Sequence, residues 1–223
     1  VYGVYIIFFL KEKRTVRNYK KERTNDVKGS FRNILNLELS DECEVIGERW
    51  YPEAHEVAIS LGKLAGYKGD AGRVQVGAGI LAALSPQTEW GDNIHMAHML
   101  IGTGHATGQT TINNMKALRI LDGEHPLEVL KGRKVVPFYK AIVDPTGDNH
   151  PVVDRHASAV YMGRSLAERE LNQLQSPVIY KRISGAYVKA AKLRGVHPNV
   201  LQAQTWLQWR MDKGISRQVG VRT

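Results

Sequence analysis

From Pro52 to Met211 the apolar residues of the chain recur at intervals of three and four, and the runs are punctuated by glycine and proline. That periodicity belongs to one face of an α-helix, and nowhere does the chain alternate as a half-buried strand must. An all-α fold follows. Ala54, Val57, Ala58, Leu61 and Leu64 make one face, with Pro52 placed in a first turn and Gly66 as a stop. The spacing predicts a helix over 74–84, rich in Gly and Ala and so closely approached by its neighbours, then helices over 94–101 and 112–121, closed by Gly102, Gly104 and Gly123. A short piece over 126–130 turns through Gly132 into a helix over 134–143, and another begins near Asp154 after the polar loop DPTGDNHP. Ser176-Pro177 and Pro198 open the last two, which end near Leu193 and Met211.

The formal charge of +9 over 223 residues directs attention to a polyanionic partner, nucleic acid before a membrane surface. Part of the excess is local: Lys11 to Lys28 holds eight Lys or Arg against three acids, a basic arm whose simplest state is a solvated tail. The expected organisation is a basic extension over 1–45, a helical domain over 46–213 and a tail over 214–223. A single cysteine, Cys43, cannot make an intramolecular disulfide, a four-thiolate zinc site or a cysteine-ligated iron–sulfur cluster. His95 and His98 sit at i, i+3 with no further ligand at suitable spacing, so no metal and no cofactor is expected. The apolar opening run, Val1 to Leu10, is about half of the ~20 residues needed to cross a bilayer, and no membrane partner is expected.

Three segments, in order, then stand out. LAALSPQTEWGDNIHMAHML, Leu81 to Leu100, combines an apolar helix, a Ser-x-Gln-Thr turn and an Asn-bearing helix, and supplies Gln87, Thr88 and Asn93. NNMKALRIL followed by PLEVLKGRKVVPFYKAI places Leu130, Gly132 and Lys134 in a hairpin between two helices. VVDRHASAVYMGR, Val152 to Arg164, sets Asp154 at a helix start with Arg155 and His156 beside it. Together they resemble the landmarks of the helix-hairpin-helix DNA glycosylases, in particular the endonuclease III-like branch, over roughly residues 50–212. The hairpin departs from that family in reading Leu-Lys-Gly-Arg-Lys instead of Leu-Pro-Gly-x-Gly, and the cysteine cluster found at the C-terminus of many relatives is absent.

The resemblance implies a two-lobe helical bundle that binds duplex DNA as a monomer inside the cell, extrudes a nucleotide and breaks its N-glycosidic bond. Breaking that bond leaves positive charge on the sugar, which a carboxylate beneath the anomeric carbon stabilises; Asp154 is the candidate. An amine can replace water as nucleophile when desolvation or neighbouring cations lower its pKa, which makes Lys134, next to Arg133, the candidate for an associated lyase step. Gln87 would hold open the gap left by the flipped base. Gly132 would bring backbone N–H groups to a phosphate, with Lys131, Arg133 and Lys140 extending the contact and Thr88, Asn93 and Arg155 on the DNA-facing segments.

Each residue also has a plainer reading. Asp154 is a good helix N-cap, Lys134 a phosphate contact, His156 a packing residue, and Trp206 and Trp209 members of a core. Two rival functions remain open at this stage: a non-catalytic DNA-binding module, and an enzyme that alters a modified base while leaving the glycosidic bond intact.

Overall fold

The computed structural model describes residues 29–147, 151–174 and 176–215. They form helices joined by short turns, and no strand occurs among them: α1 Phe31–Leu35, α2 Asp41–Leu64, α3 Asp70–Leu84, α4 Trp90–Thr103, α5 Thr111–Leu121, α6 Pro126–Val129, α7 Val135–Val143, α8 Arg155–Met162, α9 Glu168–Leu174, α10 Pro177–Arg194 and α11 Pro198–Asp212. The basic arm over 11–28 and the end of the tail lie outside the described residues.

The organised body begins earlier than the expected boundary at residue 46. Ser40 caps α2, its hydroxyl accepting from the Cys43 N–H, and Asp41, Glu42 and Glu44 complement the helix dipole in the first turn. Pro52 lies inside α2, not in a first turn. An interior proline costs about 3 kcal/mol, but Cys43, Gly47, Trp50, Ala54, Val57 and Leu61 continue one buried face across it, and that burial outweighs the lost hydrogen bond. α1 is equally part of the body: Ile34 is fully buried, and Arg194 donates to the carbonyls of Leu35 and Leu37.

The buried apolar residues fall into two clusters. The larger is centred on α3, which is buried on nearly every side and packs against α2, α5 and α7. α2 and α3 approach backbone to backbone, since a Cβ at Gly77 would stand 1.9 Å from the Ala58 carbonyl oxygen and one at Gly62 would stand 2.1 Å from that of Arg73. Gly77→Ala is therefore expected to destabilise the fold by about 1–3 kcal/mol in urea unfolding, as overpacking against rigid backbone does. Gly185→Ala, on the exposed side of α10 with open space around it, should gain up to ~1 kcal/mol from helix propensity. The smaller cluster joins α1, α8 and α10. α11 lies between the two, giving Ala203 and Leu207 to the first and Leu201 and Trp209 to the second.

Candidate functional site

The C-terminal end of α3 leaves carbonyls without helical partners, and the following turn is built to satisfy them. Ser85 Oγ donates to the Ala82 carbonyl, Asn93 Nδ2 to that of Leu81 at 3.1 Å, and Thr88 Oγ1 and Gln109 Nε2 to that of Leu84 at 3.0 and 2.8 Å. Asn93 is buried and Thr88 partly so, which corrects their expected place at the DNA face: both are committed to holding the turn. Gln87, at its apex, is exposed and holds a left-handed backbone conformation with φ +60°, the only non-glycine to do so among the described residues. A residue strained in this way marks a turn whose shape is imposed by its surroundings.

The hairpin follows the same logic of imposed geometry. α6 is a single turn, and Gly132, with φ +114°, reverses the chain into α7. Lys131, Gly132 and Arg133 are exposed on the reversal and Lys140 on α7 beyond it. Lys134 differs from them. It sits at the N-cap position of α7 with its side chain turned inward, Nζ donating to the Ser85 carbonyl at 3.4 Å. Burial lowers its pKa; Asp154 opposes the shift and Arg155 adds to it.

Asp154 caps α8. Its Oδ1 accepts from the Ala157 N–H at 2.7 Å and its Oδ2 from the indole Nε1–H of Trp206 at 2.9 Å. Each carboxylate oxygen is thus held by one donor, which fixes the plane of the group while leaving further lone pairs open. Arg210, itself buried, stacks over the Trp206 ring at 4.5 Å and forms an ion pair with Glu89, the residue that ends the Gln87 turn. A continuous chain of contacts therefore links that turn to the carboxylate. Arg155 is exposed in the first turn of α8, and its Nε donates to His156 Nε2 at 3.2 Å. Burial depresses the His156 pKa, which keeps the ring neutral and able to accept that bond.

These pieces meet around one pocket of about 520 Å³, lined by Lys134, Asp154, Ser85 and Gln202 and walled by aromatic rings. Trp50 is the hub of the wall, with ring centroids 5.1 Å from Trp90, 6.1 Å from Phe138 and 6.1 Å from Trp206. Tyr51 donates its hydroxyl to Gln202 Oε1 at 2.7 Å, and burial raises the phenol pKa well above its ordinary value, so it stays a donor. Gln202 then presents its amide N–H₂ end toward the cavity. Of the candidates drawn from the sequence, Asp154 and Lys134 line the pocket; Gln87, Arg155 and the hairpin cations lie on segments adjoining it. Trp50, Tyr51, Trp90, Phe138, Gln202 and Arg210 were not foreseen as site residues. Among the described residues no group of His, Cys, Asp and Glu could hold a metal ion, and no helix is long and apolar enough to cross a membrane.

The pocket defines a helical protein with an acid and an amine converging under an aromatic cage. The chain belongs to a family of unknown function, DUF7178, which matches residues 19–213. No curated protein and no solved structure matches it.

Proposed function

We propose that this protein is a DNA glycosylase-like enzyme that binds duplex DNA as a monomer inside the cell, turns one nucleotide into the aromatic pocket and hydrolyses the bond between its base and sugar. The observation that carries this reading is the convergence of Asp154 and Lys134, on different helices, in one cage of aromatic rings. Stacking a base on aromatic side chains gains about 1–3 kcal/mol, enough to offset much of the few kcal/mol that leaving the duplex stack costs. The Gln202 amide offers a hydrogen bond to a ring edge that bears a carbonyl. Asp154, held by Ala157 and Trp206, faces the charge that develops on the sugar as the C–N bond lengthens, and orients the water that replaces the base.

The experiment is incubation of the full chain with duplexes carrying uracil, oxidised, alkylated or mismatched bases, followed by alkaline cleavage and a denaturing gel. Strand breaks at one lesion are expected. Retention of DNA with no break at any lesion would favour the non-catalytic module, a reading that the one-turn α6 supports, since a shortened hairpin gives the phosphate a smaller seat.

Lys134 provides a second outcome. A neutral amine that attacks the anomeric carbon displaces the base, loses its proton and forms a Schiff base that borohydride reduces to a stable protein–DNA adduct. Because burial lowers the Lys134 pKa, the free amine should appear at lower pH than for an ordinary lysine, and adduct yield should rise with pH well before the usual value of 10.5 is reached. Lys134→Ala is expected to abolish the adduct while base release at Asp154 continues. An adduct of undiminished yield in that variant would remove Lys134 from the reaction.

A further inference from the structure

The longest row of like charge among the described helices lies away from the hairpin. α10 carries Lys181, Arg182, Lys189, Lys192 and Arg194 and not one acid. Its inner face, Ile179, Ile183, Tyr187, Ala190 and Ala191, is buried, and Arg194 is spent on the carbonyls after α1. Lys181, Lys189 and Lys192 stand on the exposed side, spread over about 16 Å at the ~1.5 Å rise per residue of a helix. α1, packed alongside, adds Arg32 and no acid, and Glu170 on neighbouring α9 is already paired with Arg164. Nor does the N-terminus of α10 compensate its own dipole: the first turn has no acid and the Ser176 side chain makes no capping bond. Like charges along one face weaken a helix, so stability gives no reason for the row.

The row also starts beside the pocket. The Tyr180 hydroxyl accepts from the Val153 N–H at 3.3 Å, and Val153 is the residue before Asp154. We propose that the exposed face of α10 is a second seat for the phosphate backbone of the nucleic acid, separate from the hairpin, so that the protein grips the strand well beyond the flipped nucleotide. This rests on the pocket's receiving a nucleotide as argued above. The other polyanion, an anionic bilayer, fits less well: the apolar residues exposed on the same helix, Val178, Val188 and Leu193, are small and scattered and make no continuous face to insert.

The test compares the full chain with the variant Lys181→Gln/Lys189→Gln/Lys192→Gln, and with Lys131→Gln/Arg133→Gln, in fluorescence-anisotropy titrations over a salt series, using duplexes of about 10 and about 25 base pairs. Loss of the α10 lysines is expected to reduce the slope of log K against log salt by about 2–3, near 0.9 for each phosphate released, and to weaken the long duplex more than the short one. If the triple variant fails to fold by circular dichroism, the three single substitutions carry the same test at about 0.9 each. Unchanged slope and affinity in the α10 variants, with binding weakened in the hairpin variant, would overturn the second seat and leave the pocket reading standing. Failure of the unaltered chain to bind any duplex would sink both. Sedimentation with phosphatidylserine–phosphatidylcholine vesicles that depends on the α10 lysines, alongside unchanged duplex binding, would overturn the proposal in favour of a membrane surface.

Discussion

Asp154→Asn is expected to slow base release by about 10³-fold or more, equivalent to roughly 4 kcal/mol of transition-state stabilisation, while leaving affinity for duplex DNA within a few-fold. Asparagine caps a helix as well as aspartate does, so the bond from the Ala157 N–H survives and α8 keeps its start. What is lost is the negative charge facing the sugar. One structural consequence also follows: the indole N–H of Trp206 now meets an amide that either turns a donor toward it or gives up the cap, and a loss of about 1 kcal/mol in urea unfolding is expected from that mismatch. The kinetic effect far exceeds the structural one. Base release that persists at the unaltered rate would make Asp154 a cap and nothing more.

The second large effect is expected at Trp206. Trp206→Phe keeps a ring in the wall and under Arg210 but removes the N–H that holds Asp154 Oδ2. The carboxylate is then fixed through one oxygen only and can swing about its bond to α8. A misplacement on the order of 1 Å costs roughly 10²-fold in rate, so single-turnover base release should fall by about 10- to 100-fold. DNA affinity should hardly move, because the ring that would stack on the base remains. Parallel losses of affinity and rate would mean instead that the phenyl ring collapses into the pocket. Glu89→Gln, which weakens the ion pair behind Trp206, should show a smaller loss of the same kind, since its link to the carboxylate runs through two side chains.

Much of this architecture was legible in the sequence because helices announce themselves locally. The glycines and prolines placed α3 to α8, α10 and α11 to within a few residues, and Asp154 read as a helix start because its neighbours continue a helical face. The errors were of two kinds. Pro52 was taken as a beginning although the apolar face continues on both sides of it, and the signal that would have corrected this, Ser40-Asp41-Glu42 as a cap with acids after it, lay just before the stretch that was parsed. Asn93 and Thr88 were assigned outward because their chemistry suits a ligand; inside the protein the same chemistry serves the orphan carbonyls at the end of α3.

The aromatic cage was illegible for a different reason. Trp50, Trp90, Phe138 and Trp206 come from α2, α4, α7 and α11, and nothing in their spacing along the chain says that those helices converge. α11 hid itself further by burying polar residues. Gln202, Gln204, Thr205, Gln208 and Arg210 are all inside, so its sequence lacks the apolar stripe of a core helix although it stands between both clusters. Gln204 donates to the Glu44 carbonyl, Gln208 accepts from the Ser40 N–H, and Arg210 reaches Glu89. Tertiary partners, not periodicity, explain those positions.

The most direct measurement is mass spectrometry of what leaves the DNA. A duplex bearing the lesion that gives strand breaks is incubated with the full chain, and free base and abasic sites are quantified together, with Asp154→Asn in parallel. Free base released in equal amount to abasic sites, and lost in the variant, is the predicted result. An intact glycosidic bond, with either an altered nucleoside or no product from DNA that is firmly bound, would contradict it.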